Sequence, residues 1–421
     1  MTDPVTITGL VLLGLASLYF AVMIVFRVRE GFNDLRRVSL EREYLDTRLR
    51  NAIAVHNKCG AATSSQEGAW QGWRKFTISR KVTETRDICS FYLIPHDGRG
   101  IPSYYPGQYL TFNLHIPDQL KSVTRCYSLS DSPEQKDYYR VSIKRLGPPR
   151  DQPDAPSGIG SGHFHNNLNE GDIVDVKAPS GHFFLDIEHH RPVVLIGGGI
   201  GLTPVLSMLN YIVETGSKRE TWFYYGLTNS ADHVMKEHLR NIAQLHPNIH
   251  LRICYSNPQA SDVKGKDYDL KGHVSVKLFK HDLPSNNYDF YVCGPPPMMN
   301  AITDDLAGWN VPKAKIHFEA FGPATVKKVV TPAAGSAQYE INFVRANKKI
   351  MWDGSDTSLL DFAERHGIDM DSGCRAGNCG TCLTAIRSGT IEHVSPTGVE
   401  VENGSCLACI AVPKSSIEID A

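Results

Sequence analysis

The sequence lacks an excess of either charge. Its 44 lysines and arginines stand against 45 aspartates and glutamates, so nothing points to a nucleic-acid partner. Cysteine is also sparse for one purpose: ten in 421 residues is not the density of a secreted disulfide scaffold. No internal repeat is visible. One stretch lacks charge altogether, residues 7–26, "ITGLVLLGLASLYFAVMIVF". As a helix rising 1.5 Å per residue it would span roughly the 30 Å of a bilayer core, and the sequence predicts a membrane anchor there. A cleaved signal peptide fits poorly, because "MTDPVT" holds no positive residue, the run is too long, and no small-residue cleavage site follows. Arg27, Arg29, Arg36 and Arg37 follow the run while only Asp3 precedes it. The positive-inside rule then places the rest of the chain in the cytoplasm, as a single-pass protein of the inner membrane. Residues 30–58 carry Leu35, Val38, Leu45 and Leu49 on one helical face and read as an exposed helical stalk rather than a self-association segment. "GAATSSQEG" at 60–68 reads as a flexible link.

The length of 421 residues allows about three domains. From Arg74 to Pro179 short alternating runs, "FTISRKV", "ICSFYLI", "QYLTFNL", "TRCYSLS", "YYRVSIK" and "IVDVKAP", predict a small closed β-barrel. From Pro192 to Pro323 strands alternate with amphipathic helices, which predicts a doubly wound parallel sheet. From Ala337 a third unit holds paired runs "YEINFV" and "KKIMWD", a helix "SLLDFAERHG", and a cysteine loop. The fold class expected is therefore multidomain α+β: residues 1–70 anchor and stalk, 71–188 barrel, 189–325 nucleotide domain, and 336–421 the cysteine-bearing domain.

What the chain does have is cysteine concentrated in "SGCRAGNCGTC". A C-x4-C-x2-C run, Cys374, Cys379 and Cys382, with a further cysteine downstream at Cys406 or Cys409, is a ligand pattern for a 2Fe–2S cluster. Structural zinc sites more often use two short cysteine pairs, and a glycine-rich x4 gap is atypical for them. In "GGGIGLTP" a strand runs straight into glycines and then a helix. That arrangement suits a pyrophosphate held at a helix N-terminus, although a tight structural turn would read the same way. "RCYSLS" offers Arg125 as a phosphate partner, Tyr127 as an aromatic surface and Ser128 as a hydroxyl.

Taken together, these pieces resemble the ferredoxin-NADP reductase superfamily, of flavohaemoglobin and oxygenase-reductase type, fused to a plant-type ferredoxin domain, from about Trp73 to the end. The resemblance implies a flavin-binding barrel, an NAD-binding domain and a β-grasp ferredoxin domain. "RCYS" is similar to the flavin motif and implies four flavin-binding residues: Arg125 would hold flavin phosphate, Cys126 would fill its variable position, Tyr127 would pack on the isoalloxazine, and Ser128 would bond near its N5. The opening Gly158, Gly160, Ser161 of "GIGSGHF" would cap a helix under the flavin pyrophosphate. Gly198, Gly199, Gly201, Thr203 and Pro204 would form the nicotinamide-cofactor loop. "CGPPPMM" implies Cys293 and Gly294 beside the nicotinamide, and "FEAFGP" implies Glu319 and Phe321 over the flavin. Ser128, Cys293, Glu319 and Phe321 are the implied catalytic group. "LACIAVP" matches the ferredoxin ending, which makes Cys409 the fourth ligand beside Cys374, Cys379 and Cys382, and Cys406 a packing residue.

Members that use NADPH carry a serine–arginine pair where this chain has Ser256-Asn257, so NADH is the expected donor. The long loop "LGPPRDQPDAPSG" leaves the adenine end of the flavin open, with FAD favoured over FMN. The implied activity is electron transfer from NADH through flavin and the 2Fe–2S cluster, whose exposed loop would hand single electrons to a partner protein such as an oxygenase, hydroxylase or desaturase component. A respiratory NADH:quinone subunit is the alternative enzyme, disfavoured by domain order, and a redox sensor the alternative from another class. Cys293 is expected to shape the site rather than act as a nucleophile. His163, His165, His189 and His190 are expected at the surface, without metal.

Overall fold

The computed structural model describes residues 69–421, apart from 118, 120–121, 149–156, 320, 322–338, 378, 396, 398 and 400. The predicted anchor at 7–26, the stalk and the link all fall outside the described residues, as does most of the long loop before Gly158.

Six strands form the first domain: β1 (Arg74–Thr85), β2 (Ile88–Pro95), β3 (Tyr109–Leu114), β4 (Val123–Ser128), β5 (Tyr139–Lys144) and β6 (Ile173–Ser180), with helix α1 (Ile159–Asn166) before β6. All six coincide with the alternating runs. They pair in the order β4-β3-β6-β1-β2-β5, and a Leu129–Val141 bridge joins the two ends so that the sheet curls into a barrel. Alternation explains the closure. Phe76, Ile78, Phe91, Leu110, Phe112, Val141 and Val176 all point inward and are wholly buried.

The second domain alternates β7 (Val193–Gly198), α2 (Leu202–Glu214), β8 (Thr221–Leu227), α3 (Lys236–Leu245), β9 (Ile249–Tyr255), β10 (Leu270–Lys271), α4 (Val276–Asp282), β11 (Asp289–Cys293), α5 (Pro296–Gly308) and β12 (Ile316–Glu319). Its parallel sheet runs β10-β9-β8-β7-β11-β12, so the strand order reverses at β7 and β11. Ligands of such sheets bind outside the carboxyl ends of the strands at that reversal. Apolar residues cover both faces, as a parallel sheet requires.

The third domain has β13 (Tyr339–Phe343), β14 (Lys348–Trp352), α6 (Leu359–Arg365), β15 (Leu383–Ser388), β16 (Ile391–His393), β17 (Ser405–Leu407), β18 (Ala411–Pro413) and β19 (Ile417–Ile419). A sheet ordered β14-β13-β19-β15-β17, with β13 and β19 parallel, wraps α6. Ser358 caps that helix by accepting a hydrogen bond from the Asp361 amide at 3.1 Å.

The expected inner-membrane, single-pass placement needs correction. No helix among the described residues is long and apolar enough to cross a membrane. The two longest, α2 and α5, have 13 residues each, about 20 Å at 1.5 Å per residue, and both are packed in the nucleotide domain.

Candidate active site and iron–sulfur loop

The cysteine loop follows α6 and turns tightly, with Arg375, Gly377 and Gly380 at positive φ. It gathers the four ligand candidates into two pairs. The Cys374 amide donates to Cys379 Sγ and the Cys379 amide to Cys374 Sγ, each at 3.3 Å, and the Ala376 amide reaches Cys374 Sγ at 3.5 Å. Cys382 Sγ lies 3.1 Å from Cys409 Sγ. Two thiol pairs, one for each iron, with backbone amides directed at sulfur, fit a 2Fe–2S cluster. Cys406 points into the core instead, opposite Thr384 in the β15–β17 ladder and fully buried; burial pushes its thiol up to about 12.

The loop is not fully exposed as expected. Gly373, Ala376 and Gly377 are buried, and Arg125 of the barrel donates from Nη1 to the Gly373 carbonyl at 3.2 Å. A β-carbon at Gly373 would sit 3.2 Å from Thr124 Cβ and 2.7 Å from Cys379 Sγ. Strand β4 therefore lies against the cysteine loop. The Sγ atoms of Cys126, Cys374 and Cys379 are within 4.8 Å of one another. Cys374 and Cys379, together with burial, hold the Cys126 thiol well above its ordinary range. Cys126, expected among the flavin-binding residues, thus also stands beside two cluster-ligand candidates, a neighbourhood the sequence did not reveal.

Side chains alternate along a strand, so Arg125 and Tyr127 project opposite to Thr124, Cys126 and Ser128. Tyr127 stands edge-on to Phe112 and Phe164, at 5.7 and 5.2 Å between ring centroids. Gly160 at the start of α1 is pressed against them: a β-carbon there would lie 2.8 Å from Arg125 Cγ and 3.4 Å from Tyr127 Oη. Gly158 is the N-cap, but no side chain caps α1; Ser161 Oγ instead donates to the Gly158 carbonyl at 3.2 Å and accepts from the Leu146 amide at 3.1 Å. It ties the incoming loop to the helix and leaves the first helical amides to a ligand.

At the other end of β4, Ser128 donates from Oγ to Glu319 Oε2 at 3.3 Å. Glu319 ends β12, paired in register with Cys293 at the end of β11. All three are at most 8% exposed. Burial raises the Glu319 carboxyl to about 8, with the Ser128 hydrogen bond opposing it, and burial then the Glu319 charge push the Cys293 thiol far up. A thiol so disfavoured as thiolate is no nucleophile, in line with a shaping role. Phe321 is partly buried against the nucleotide-domain core.

Gly198, Gly199 and Gly201 lead from β7 into α2, where Thr203 donates from Oγ1 to the Ile200 carbonyl at 3.1 Å and Pro204 lies buried in the first turn. Gly198 and Gly294 meet across the β7–β11 reversal, a β-carbon on Gly294 falling 3.1 Å from Gly198 Cα. Asn257 lies beside β8, donating its amide to the Thr228 carbonyl at 2.9 Å. His163 is buried rather than at the surface, and His165 Nε2 sits 2.8 Å from the Ile143 carbonyl oxygen; neither belongs to a metal-ligand cluster among the described residues.

A buried polar knot that sequence reasoning missed locks the barrel to the nucleotide domain. Asp131 salt-bridges Arg140 at 3.2 Å and accepts from Asn210 at 3.1 Å, while its carbonyl accepts from Tyr104 and Ser207 at 2.6 Å each. No local pattern marks it, because its members are spread over a hundred residues.

The Glu319 carboxyl makes stability depend on pH. Its proton is held in the folded chain to about 8, against an ordinary value of 4.5. Between those values the folded state keeps a proton that the unfolded state has lost, so this contribution is complete below the lower value and disappears as pH rises through the upper one. Glu319→Gln is expected to flatten that part of the thermal stability profile between about pH 5 and pH 9, and pH profiles of melting temperature for the two proteins that run parallel would refute the assignment.

Comparison with known proteins agrees with this architecture. Residues 75–185 match the oxidoreductase FAD-binding domain, 195–304 the oxidoreductase NAD-binding domain, and 344–414 the 2Fe-2S iron-sulfur cluster binding domain. The chain is 39% identical over 272 residues to a flavohaemoprotein of Halalkalibacterium halodurans, covering 65% of each. It is 38% identical over 273 residues to one of Bacillus cereus, covering 65% of this chain and 67% of that one. It thus spans about two thirds of the length of the curated relatives it matches. Among solved structures, the FAD/NAD-binding domain of a Vibrio cholerae nitric oxide dioxygenase is 32% identical with a TM-score of 0.53, covering 59% of this chain and 99% of that one. Phthalate dioxygenase reductase, described as a modular structure for electron transfer from pyridine nucleotides to [2Fe-2S], is 25% identical with a TM-score of 0.54 over 83% of this chain and 98% of that one.

Fold and site define an oxidoreductase with FAD-binding, NAD-binding and 2Fe–2S domains. Within that class, the chain belongs to the ferredoxin-NADP reductase-type family, with an FAD/NAD unit like that of the flavohaemoproteins joined to a C-terminal ferredoxin domain.

Proposed function

We propose that this chain is an NADH-dependent reductase that delivers electrons one at a time to an acceptor protein of the oxygenase, hydroxylase or desaturase type. One observation carries the reading: β4 touches the cysteine loop at Thr124 and Arg125 and the Glu319 site at Ser128. Thr124 and Ser128 are four positions apart on this extended strand, about 13 Å, so donor and cluster sites share one short structural element. The likeness to phthalate dioxygenase reductase over most of both chains supports the choice of acceptor class.

When bound, FAD supplies the conversion between the electron pair of a hydride and the single electrons a 2Fe–2S cluster accepts. Arg125, which spends one guanidinium nitrogen on the Thr124 and Gly373 carbonyls at 2.7 and 3.2 Å, keeps further donors for flavin phosphate. Amides at the start of α1, which no side chain caps, would serve the same anion. Gly201 and the α2 N-terminus would receive the NADH pyrophosphate, and Cys293, Gly294 and Phe321 would border the nicotinamide. Ser128 and Glu319, buried and hydrogen-bonded to each other, would exclude water from the hydride-transfer site. No side chain is needed as acid or base for the hydride itself. The ligands of the cluster are Cys374, Cys379, Cys382 and Cys409.

Anaerobic mixing of the fully loaded protein with NADH tests the relay. Flavin bleaching followed by appearance of the reduced-cluster EPR signal is expected; bleaching that leaves the cluster oxidised would refute it. Donor choice has its own check. No cation follows Ser256, so Asn257→Arg, beside Thr228, should raise kcat/KM for NADPH roughly tenfold through a charge-assisted bond to the 2'-phosphate. Steady-state kinetics with both dinucleotides reads this, and an unchanged NADH preference would count against the site.

A further inference from the structure

The four cysteines of the ferredoxin domain account for two irons, two sulfurs each, yet a fifth thiol stands among them. Cys126 comes from the barrel, 248 residues before Cys374, and its Sγ shares a 4.8 Å sphere with those of Cys374 and Cys379. Thr111 pairs with it across β3 and β4 and places its Oγ1 3.5 Å from the Cys126 sulfur. The contact is enforced on both sides. Gly373 leaves no room between Thr124 and Cys379, and the Arg125–Gly373 hydrogen bond clamps the loop to the strand.

We infer that Cys126 is a positioning residue for the iron–sulfur centre, a thiol that donates its S–H to the ligand sulfurs of Cys374 and Cys379 from the flavin side and raises the reduction potential of the cluster. This rests on the function proposed above. A ligand role is closed to it, because Cys409 already completes the second pair at 3.1 Å from Cys382. Cys126 sets a third sulfur beside two that the cluster would claim, and its S–H is a donor meeting acceptors. Hydrogen bonds to cluster sulfur favour the form with more negative charge, which is the reduced one. The donor sits on the strand that also carries Ser128, so the element that would hold flavin also sets how readily the cluster takes its electron.

The test compares the full-length, cofactor-loaded chain with Cys126→Ala and Cys126→Ser, reading iron and sulfide content, the EPR spectrum, and the midpoint potential of the cluster against one-electron dyes. All three proteins are expected to hold a full cluster. Cys126→Ala should shift the cluster–dye equilibrium roughly tenfold towards the oxidised cluster, about 59 mV for a one-electron couple, with an altered EPR line shape and an unmoved flavin potential. Cys126→Ser, which keeps a donor, should recover most of the shift. An unchanged cluster potential in loaded Cys126→Ala would overturn this inference alone. Loss of iron on that substitution would also overturn it, by making Cys126 a ligand. Absence of a cluster from the unaltered chain would overturn the proposed function and this inference with it.

Discussion

Cys409→Ala is expected to abolish the 2Fe–2S centre and to lower NADH-driven reduction of a one-electron acceptor protein by at least about 10²-fold, the upper end of the effect already seen for residues that merely support metal ligands. Anaerobic bleaching of the flavin by NADH should stay within about twofold, because the hydride site is built at the far end of β4 from elements the substitution does not touch. Cys409 lies in a short 3-10 turn, Ala408–Ile410, whose flanking side chains are wholly buried in the ferredoxin core. Its removal leaves Cys382 without a second sulfur for the same iron. Metal binding contributes folding free energy to such domains, so the variant's third domain should also become more sensitive to protease. Cys406→Ala is the control. That thiol is buried in the β15–β17 ladder and should be dispensable for iron content at a modest stability cost. Cluster loss in Cys406→Ala with retention in Cys409→Ala would reverse the ligand assignment.

What the sequence disclosed and what it concealed divide along a physical line. Strand and helix positions were legible because burial imposes period two on β1 to β6 and continuous apolar runs on β7, β8 and β11. The cysteine loop and the glycine turn were legible because their chemistry is local: ligands and backbone approach are set within a dozen residues. Contacts between distant segments were not. Cys126 and Cys374, or Asp131 and Asn210, meet only because the barrel, nucleotide domain and ferredoxin domain fold together. Ser161 shows the same limit on a smaller scale, since its partner Leu146 lies across a loop whose course no spacing reveals. The two-residue β10 is too short for any periodicity to register.

The second large effect is expected at Gly201, where Gly201→Ala should lower kcat/KM for NADH by about 10²-fold while leaving flavin content unchanged. The reason is steric and not conformational. Gly201 has φ −62°, which alanine adopts freely, but a β-carbon there would lie 2.3 Å from the Cys293 carbonyl oxygen, 2.5 Å from its carbon and 2.6 Å from the Gly294 nitrogen. All three are backbone atoms of the strand end opposite, so no rotamer can yield. Either the turn or the β11 end must withdraw, and both border the place where pyrophosphate and nicotinamide would be held. Displacement approaching 1 Å in such a site costs on the order of 10²-fold in rate. Gly199→Ala separates this from a general need for glycine. Gly199 has φ +52° with open space around its missing β-carbon, so alanine there meets strain of roughly 1 to 2 kcal/mol but no clash. The expected order of damage to NADH kinetics is therefore Gly201→Ala well beyond Gly199→Ala. Steady-state kinetics with NADH on both variants decides it, and the reverse order would mean that backbone conformation, and not close approach to Cys293, is what the turn requires.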